Sequence, residues 1–372
     1  MKQILVNDEG LETRVAITES GVIHEYFVER NDENNIVGCV FKAVISNLEP
    51  SLQAAFVDLG APKNAFLHYW DMLPATKEAL EGSVSATDSF EIPEYEEEEV
   101  ASDEPTGFFA MLKAKLFGDG SDEPAAPETK GTGQRSRGRR RGRQKQSQDT
   151  TPPSREPLTV EDIPELFPEG SEVLVQVTKG PIGKKGSRVT TNLSVPGRYL
   201  VLLPNSRHSG ISRKISDRKE RDRLRQILKR LRVPRGMGVI CRTVGEGQSE
   251  EVFRQDFRMV LQVWKEAQQI AAQKRGPVCI YEEPRVVERT LRDYLDEDVS
   301  EIVTDSEKTF ELAQRVVQRM NGDRRVKVRL HKQARPIFGR YGIASQVDNI
   351  FRRRVPLPSG GYICIDETEA LI

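Results

Sequence analysis

Residues 74–160 interrupt a sequence that is otherwise rich in short apolar runs. Within them, 94–104 (EYEEEEVASDE) is strongly acidic and 130–145 (KGTGQRSRGRRRGRQK) is strongly basic. Pro, Ser, Gly and Gln fill much of the remainder, and this composition cannot bury enough apolar surface to offset the entropy lost on ordering. We therefore predict an insertion without regular structure, which separates two parts of one folded unit.

Strand patterns lie on both sides of this insertion. The first 30 residues contain apolar runs separated by Gly, Asn and Asp, which predict two or three antiparallel strands in hairpins. Residues 36–70 continue with Val, Ile and Phe between turn residues at about ten-residue spacing, and strand character resumes at 170. This spacing predicts a small barrel or sandwich whose strands flank the insertion.

The second half of the sequence mixes helical and strand patterns. Leu224, Ile227, Leu228 and Leu231 have helical spacing within 217–231, and a second helix is predicted over 249–273. A buried strand is predicted between them at 236–244, and from about 278 strands and helices alternate as in an α/β unit. The predicted fold class is α+β with several domains.

Composition excludes several kinds of protein. The net charge of -1 gives no overall basic signature, and the four cysteines contain no CxxC pair, which excludes a local zinc knuckle. The first ten residues are charged and lack the apolar core of a signal peptide, and no run is apolar for long enough to span a bilayer. Scattered single cysteines are typical of a reducing compartment, so we expect a cytoplasmic protein.

Phe56, Phe66 and Lys185 are candidates for binding a single nucleic-acid strand. Barrels of the OB type bind such strands by stacking bases on exposed aromatic rings beside a basic groove. If Val57 points into the barrel, period-two alternation puts Phe56 on the outer face. Lys185 lies in a Gly-rich turn suited to a phosphate backbone. The alternative is that both phenylalanines belong to the core.

Arg242 and Thr243 are candidates for holding a terminal phosphate. A guanidinium fork, a hydroxyl and the free amides of a Gly-containing turn together suit that group. The alternative is a surface ion pair and a cap at the end of a strand. The segment Ser212-Arg213-Lys214 is either a second phosphate-contacting loop or a solvated turn.

Two segments of the insertion have their own hypotheses. The basic run at 130–145 would bind RNA through counterion release, or pair with the acidic run at 94–104. The amphipathic stretch at 107–118 places Phe108, Phe109, Leu112 and Leu116 on one helical face. This face would contact a partner protein or a membrane, and the alternative is a simple spacer.

A complete active site is absent from the sequence pattern. The four histidines show no metal-ligand or nucleophile spacing. Asp366 and Glu367 are the late carboxylate pair, but neighbours on a strand point to opposite faces and cannot share one metal. We therefore predict no catalytic and no metal-binding residue within the chain.

Several runs together resemble the bacterial ribonuclease E/G family across most of the chain except 74–160. They are EPSLQAAFVDLG at 49–60, NAFLHY at 64–69, KKGSRVTTNLSVPGRYLVLLPNS at 184–206, GISRKI at 210–215, RGMGVICRTVGEG at 235–247 and VPLPSGGYICIDETEAL at 355–371. The resemblance implies a structural RNase H-like fold with an inserted S1-type OB-fold barrel and a 5′-sensor subdomain. The implied boundaries are 1–34 and 288–351 for the RNase H-like fold, 35–191 for the barrel, 192–287 for the sensor and 352–372 for the start of a deoxyribonuclease-I-like catalytic domain.

The resemblance also assigns roles to individual residues. Phe56, Phe66 and Lys185 match family positions that hold single-stranded RNA. Five residues match family positions around a bound 5′-monophosphate. Arg242 and Thr243 match side chains that contact it, and Gly197 and Val201 match backbone that shapes the pocket. Arg213 matches a nearby basic position.

The family pattern implies an endoribonuclease for rRNA processing and mRNA decay that hydrolyses phosphodiesters with Mg²⁺. Its two metal-binding aspartates, and a Cys-containing zinc link between protomers, follow the position that corresponds to Ile372. We therefore expect this chain alone to bind 5′-monophosphorylated RNA without cleaving it, and to form homo-oligomers only in a full-length form. The chain is then a fragment or a form that lost catalysis. The alternative function is a non-catalytic RNA-binding or scaffold protein derived from the family.

Overall fold

The computed structural model describes residues 2–32, 35–73, 87–91, 160–206, 208–295, 298–320 and 326–366. The strands in chain order are β1 Lys2–Asp8, β2 Glu12–Glu19, β3 Val22–Arg30, β4 Val40–Glu49, β5 Ala54–Asp58, β6 Ala65–His68, β7 Thr87–Glu91, β8 Glu172–Lys179, β9 Arg188–Thr190, β10 Val195–Pro196, β11 Leu200–Leu203, β12 His208–Ser212, β13 Gly238–Cys241, β14 Val278–Tyr281, β15 Val299–Thr304, β16 Lys327–Leu330, β17 Arg354–Pro356 and β18 Tyr362–Cys364. The α-helices are α1 Ile163–Leu166, α2 Arg218–Arg230, α3 Glu250–Gln273, α4 Val286–Tyr294, α5 Glu307–Met320, α6 Ile337–Arg340 and α7 Ala344–Ile350. None of these helices has the length and apolar character needed to cross a membrane.

Strands from the first 30 residues and from 299–330 share one sheet, while β17 and β18 form a separate hairpin. The order of the shared sheet is β16-β15-β1-β2-β3, with β1, β15 and β16 parallel and the β1-β2-β3 meander antiparallel. Ile4 and Val6 pack with α4 and α5 on one face, while Leu5 packs with α6 and α7 on the other. Burial on both faces explains why β1 reads as an uninterrupted apolar run instead of an alternating one.

The middle of the chain forms a closed five-stranded barrel. Strand pairing runs β4-β5-β6-β9-β8 and returns to β4, and β14 adds to the outside of β4. Inward residues such as Ile45, Val57, Leu67 and Val175 fill the interior at every second position. Ile163 of α1 joins the same core. The closed barrel is OB-like and confirms the α+β class predicted from the sequence.

The third sheet has the order β10-β11-β13-β12-β7 and packs against α2 and α3. The buried stripe of α3 includes Phe253, Phe257, Val260 and Trp264. Because the same cluster also contains Val40 on the outer side of the barrel, α3 lies between the third sheet and the barrel.

Thr87–Glu91 require a correction to the sequence analysis. These five residues fall inside the segment predicted to lack regular structure, yet they form β7, antiparallel to β12. An edge strand needs only main-chain hydrogen bonds to one neighbour, so its own side chains need not show an apolar pattern. The remainder of the predicted insertion, including the acidic run, the basic run and 107–118, lies outside the described residues.

Lys42 joins the barrel to the C-terminal end of α3. Its ammonium is 2.8 Å from a carboxylate oxygen of Glu172 and donates to the carbonyls of Ala271 and Lys274 at 3.1 and 3.0 Å. Glu172 also accepts the Gly276 amide at 2.7 Å. Burial opposes ionisation of Glu172, but the hydrogen bonds from Lys42 and Gly276 hold its pKa below the usual value. A cation at a helix C-terminus is further favoured by the helix dipole.

We predict that Lys42→Met lowers the free energy of unfolding by about 3 kcal/mol, because it leaves a partly buried carboxylate and two helix-terminal carbonyls without their cation. Urea denaturation followed by circular dichroism measures this loss. Lys179→Met, at an exposed position of β8, is the matched control and should change stability by less than about 0.5 kcal/mol. Equal effects of the two substitutions would contradict the role given to Lys42.

Candidate nucleic-acid interface

The barrel presents a row of aromatic rings on its outer surface. Val57 is fully buried, and period-two alternation leaves Phe56 half-exposed, as expected from the sequence. Phe56 is paired directly with Phe66 across β5 and β6, and their ring centroids lie 6.0 Å apart at 74°. The imidazole of His68 continues the row, with its centroid 6.4 Å from that of Phe66. The rings of Phe56 and Phe66 therefore lie on the surface of the barrel and are not part of its core.

The Gly-rich turn that carries Lys185 lies at the edge of this row. β9 runs parallel to β6 with Arg188 opposite Phe66, which places the preceding turn next to the rings. Gly186 makes the approach possible, because a Cβ there would lie 2.0 Å from the Asn64 carbonyl oxygen. Lys185 is exposed, and Lys63 donates to the Gly183 carbonyl at 2.5 Å. Cationic side chains thus border the aromatic row.

Arg242 and the Gly197 loop meet at the end of the third sheet. Arg242 follows β13, and its Nη1 donates to the Gly197 carbonyl at 2.8 Å and to the Asp293 carboxylate at 2.6 Å. Val201 lies in β11 opposite Ile240, so it is close to the same end. The ion pair that the sequence analysis left open as an alternative is therefore present, and it occupies one nitrogen of the guanidinium. Nε and Nη2 of Arg242 have no hydrogen-bond partner among the residues that the structure describes.

Thr243 connects this end of the sheet to the 212–214 segment. It begins a short 3-10 turn, and its hydroxyl lies 3.0 Å from the Ser212 hydroxyl at the end of β12. Arg213 follows directly and is exposed. The parallel pairing of β12 with β13 brings the two loops together, because parallel strands end at the same edge. Arg242, Thr243, Gly197 and the start of the 212–214 segment thus belong to one surface.

Asp256 of α3 holds the Gly197 loop in place. Its carboxylate accepts the main-chain amides of Arg198, Tyr199 and Leu200 at 3.0, 2.8 and 2.8 Å. Burial raises the pKa of Asp256 against the lowering effect of these three hydrogen bonds. Each amide satisfies part of the hydrogen-bonding capacity of the carboxylate, and the loop is fixed to a rigid helix as a result.

Asp293 belongs to a partly buried ionic network behind Arg242. Arg292 donates to Asp293 at 3.0 Å and to Glu283 at 2.8 Å, and Glu283 accepts the Tyr281 hydroxyl at 2.7 Å. Burial opposes ionisation of Asp293, but the Arg292 hydrogen bond and the charges of both arginines hold its pKa below the usual value. The Asp293 carboxylate is therefore ionised at neutral pH and orients Arg242.

Sequence reasoning did not identify Asp256 or Asp293. Asp256 had a usable signal, because it interrupts the apolar face of a predicted helix between Phe253 and Phe257. Asp293 had none, because its partner Arg242 is 51 residues away in a different element.

No metal site is formed within the described parts of the chain. No three His, Cys, Asp or Glu side chains among those residues lie close enough to share an ion. Asp366 is exposed and paired with Arg353, while Glu367 lies outside the described residues.

The comparisons with known proteins agree on one family. The model of the Ribonuclease E/G family matches residues 194–372. Ribonuclease G of Salmonella typhimurium is 31% identical over 369 residues, which cover 99% of this chain and 61% of that protein. Ribonuclease E of Haemophilus influenzae is 32% identical over 373 residues, covering 100% of this chain and 32% of that protein. The chain belongs to the ribonuclease E/G family, and it spans about 61% of the ribonuclease G length.

We predict that Gly197→Ala destabilises the fold by about 2 kcal/mol, because the new Cβ would lie 2.7 Å from both Asp256 Oδ2 and Val260 Cγ1 on α3. Thermal unfolding measures the loss. Gly180→Ala is the control, since its Cβ would meet only Val37 at an ordinary 3.6 Å. If Gly197→Ala melts at the wild-type temperature, the loop is not held against α3 as described.

Proposed function

We propose that this chain binds single-stranded RNA and senses a 5′-monophosphate as part of a ribonuclease E/G-type endoribonuclease. The observation that carries the proposal is the partly engaged guanidinium of Arg242 at the edge of the third sheet. Nη1 is held by Asp293 and Gly197, while Nε and Nη2 have no partner in the described part of the chain. That remaining edge is the geometry that binds two oxygens of one phosphate.

The neighbouring groups complete a phosphate site. Thr243 supplies a hydroxyl, and Arg213 adds positive charge from the adjacent loop. Gly197 and Val201 shape the pocket through their backbone. In this proposal Asp293 is a positioning residue, because it touches Arg242 and not the phosphate. A partly buried anion behind the arginine keeps the guanidinium in a single orientation before RNA arrives, which reduces the entropy lost on binding.

The aromatic row supports RNA binding beside this site. Phe56 and Phe66 offer stacking surfaces to bases, and Lys185 is placed to contact the phosphate backbone. Stacking of this kind tolerates any base, because every base has a π face. This suits a protein that accepts many RNA sequences.

The strand orders support the domain assignment within the proposal. A five-stranded sheet of order β16-β15-β1-β2-β3 with helices on both faces is compatible with an RNase H-like fold, and the closed barrel is compatible with an S1-type OB-fold. Boundaries at 1–34, 35–191, 192–287, 288–351 and 352–372 remain part of this proposal.

Hydrolysis of RNA belongs to the proposal for the whole protein and rests on the names of its relatives. The proposed contribution of the described residues is to bind and orient the substrate. Cleavage then depends on carboxylates other than those described, acting with Mg²⁺ to hydrolyse the phosphodiester.

The sensor role predicts that Arg242→Ala reduces the preference for 5′-monophosphorylated over 5′-hydroxyl single-stranded RNA by about tenfold or more, because charge-assisted hydrogen bonds to phosphate contribute about 1.5–3 kcal/mol. Fluorescence anisotropy with two oligonucleotides that differ only at the 5′ end measures the ratio. Arg232→Ala is the control, because it removes an exposed arginine beyond the end of α2. It should weaken the binding of both RNAs equally. A wild-type protein that binds both ends alike would refute the sensor role.

The stacking role predicts that Phe56→Ala and Phe66→Ala each weaken binding of a 5′-hydroxyl single-stranded RNA by about 1–3 kcal/mol. Both substitutions should leave the ratio between the two 5′ ends unchanged, since the rings do not contact the terminal phosphate. Phe351→Ala is the control, because that ring is 70% exposed and lies against Tyr26 in the first sheet. Unchanged affinity in both barrel variants would contradict the proposal.

A further inference from the structure

Two cysteines far apart in sequence meet at one end of the barrel. Cys39 precedes β4 and Cys279 lies in β14, and Cys279 packs against the buried cluster that contains Cys39. The Cys279 thiol donates to the Tyr281 carbonyl at 3.3 Å. Cys279 is paired with Phe41 in the strand register, and Cys39 and Phe41 both pack into the barrel core. The two sulfurs therefore lie on the same face of neighbouring strands.

The pair lines a cavity of about 230 Å³ between the barrel and the first sheet. Within this lining, Cys39 is 5% exposed and Cys279 is half-buried. The cavity is also lined by Glu29 of β3, by Glu282 and Glu283 after β14, and by Arg285 and Arg289 at the start of α4.

We propose that Cys39 and Cys279 are a redox-active thiol pair that a hydroperoxide oxidises to a disulfide between β4 and β14. With hydrogen peroxide as the hydroperoxide, the Cys39 thiolate attacks one oxygen, the O–O bond breaks, and the leaving hydroxide takes a proton to become water. Cys39 is then a sulfenic acid. The Cys279 sulfur attacks the Cys39 sulfur, the S–O bond breaks, and a second water leaves with the thiol proton. The pair loses two electrons, and the peroxide is reduced to two waters.

The surroundings assign different roles to the two sulfurs. The neighbouring Cys279 thiol lowers the pKa of Cys39 to about 7, although burial and the charges of Glu282 and Glu283 oppose this. The nearby Cys39 sulfur and burial raise the pKa of Cys279. Cys39 is therefore the attacking thiolate near neutral pH, and Cys279 is the resolving thiol, since reactivity follows the thiolate form.

The strand arrangement allows the bond to close. A disulfide requires an S–S distance of about 2.05 Å and Cα atoms within about 7 Å, so the two thiols have to move closer together to form the bond. Among the described strands, β14 is the outer strand of its sheet and pairs with β4 alone, and the register is irregular between Cys279 and Tyr281. An edge strand with a bulge accommodates a small shift more readily than a strand held on both sides.

The other two cysteines serve as internal controls. Burial raises the pKa of Cys241 to about 12, so this thiol should not react. Cys364 is exposed and has no neighbouring cysteine among the described residues. The substitution Cys364→Ser prevents intermolecular disulfides that would form through this exposed thiol, and it leaves Cys39 and Cys279 unchanged.

The test treats the full reduced Cys364→Ser chain with hydrogen peroxide, alkylates it with N-ethylmaleimide under denaturing conditions, and maps its peptides by mass spectrometry. The expected result is one cross-linked peptide pair containing Cys39 and Cys279, lighter by two hydrogens and reversed by dithiothreitol, with Cys241 alkylated. Both cysteines alkylated after treatment, or oxidised separately without a cross-link, would overturn the proposal.

Two variants separate the roles of the sulfurs. In Cys279→Ser the peroxide should stop at a Cys39 sulfenic acid that dimedone traps, and in Cys39→Ser the Cys279 thiol should remain reduced. At pH 7, hydrogen peroxide should oxidise Cys39 of the wild-type chain about tenfold faster than it oxidises Cys364 of the double variant in which both Cys39 and Cys279 are serine. The reason is that a larger fraction of Cys39 is thiolate. Equal rates would contradict an activated Cys39.

Discussion

The Asp256 carboxylate is the contact on which the proposed phosphate site depends. It accepts three consecutive main-chain amides of the Gly197 loop from within the buried face of α3. The loop in turn offers the Gly197 carbonyl to Arg242, whose other partner is Asp293. α3 also ends on the Lys42 ammonium, which joins it to the barrel. A single helix therefore fixes the position of the Gly197 loop with respect to the surface that carries the aromatic rings.

The arrangement of charge around Arg242 has a functional consequence. A guanidinium with no partner would be mobile, and one fully paired with carboxylates would have no capacity for a ligand. Here Asp293 contacts one nitrogen and is itself held by Arg292, so Arg242 is oriented yet keeps one edge without a partner among the described residues. Preorganised donors of this kind contribute more to binding than flexible ones, because less conformational entropy is lost when the ligand arrives.

Local sequence patterns predicted the elements that depend on local rules. The helical spacing predicted 217–231 and 249–273, and the structure has α2 at Arg218–Arg230 and α3 at Glu250–Gln273. Alternation around Val57 predicted the outward direction of Phe56. Features formed by distant segments were not predictable in this way. β7 depends on main-chain pairing with β12 more than 100 residues later, and the contact of Cys39 with Cys279 depends on β14 joining the barrel.

The most direct test of the account is a crystal structure of the chain with a short single-stranded RNA that carries a 5′-monophosphate. The account predicts the terminal phosphate within hydrogen-bond distance of Nε and Nη2 of Arg242 and of the Thr243 hydroxyl, with bases stacked on Phe56 and Phe66. A terminal phosphate bound elsewhere, or exposed to solvent while Arg242 keeps only its contacts with Asp293 and Gly197, would contradict the account.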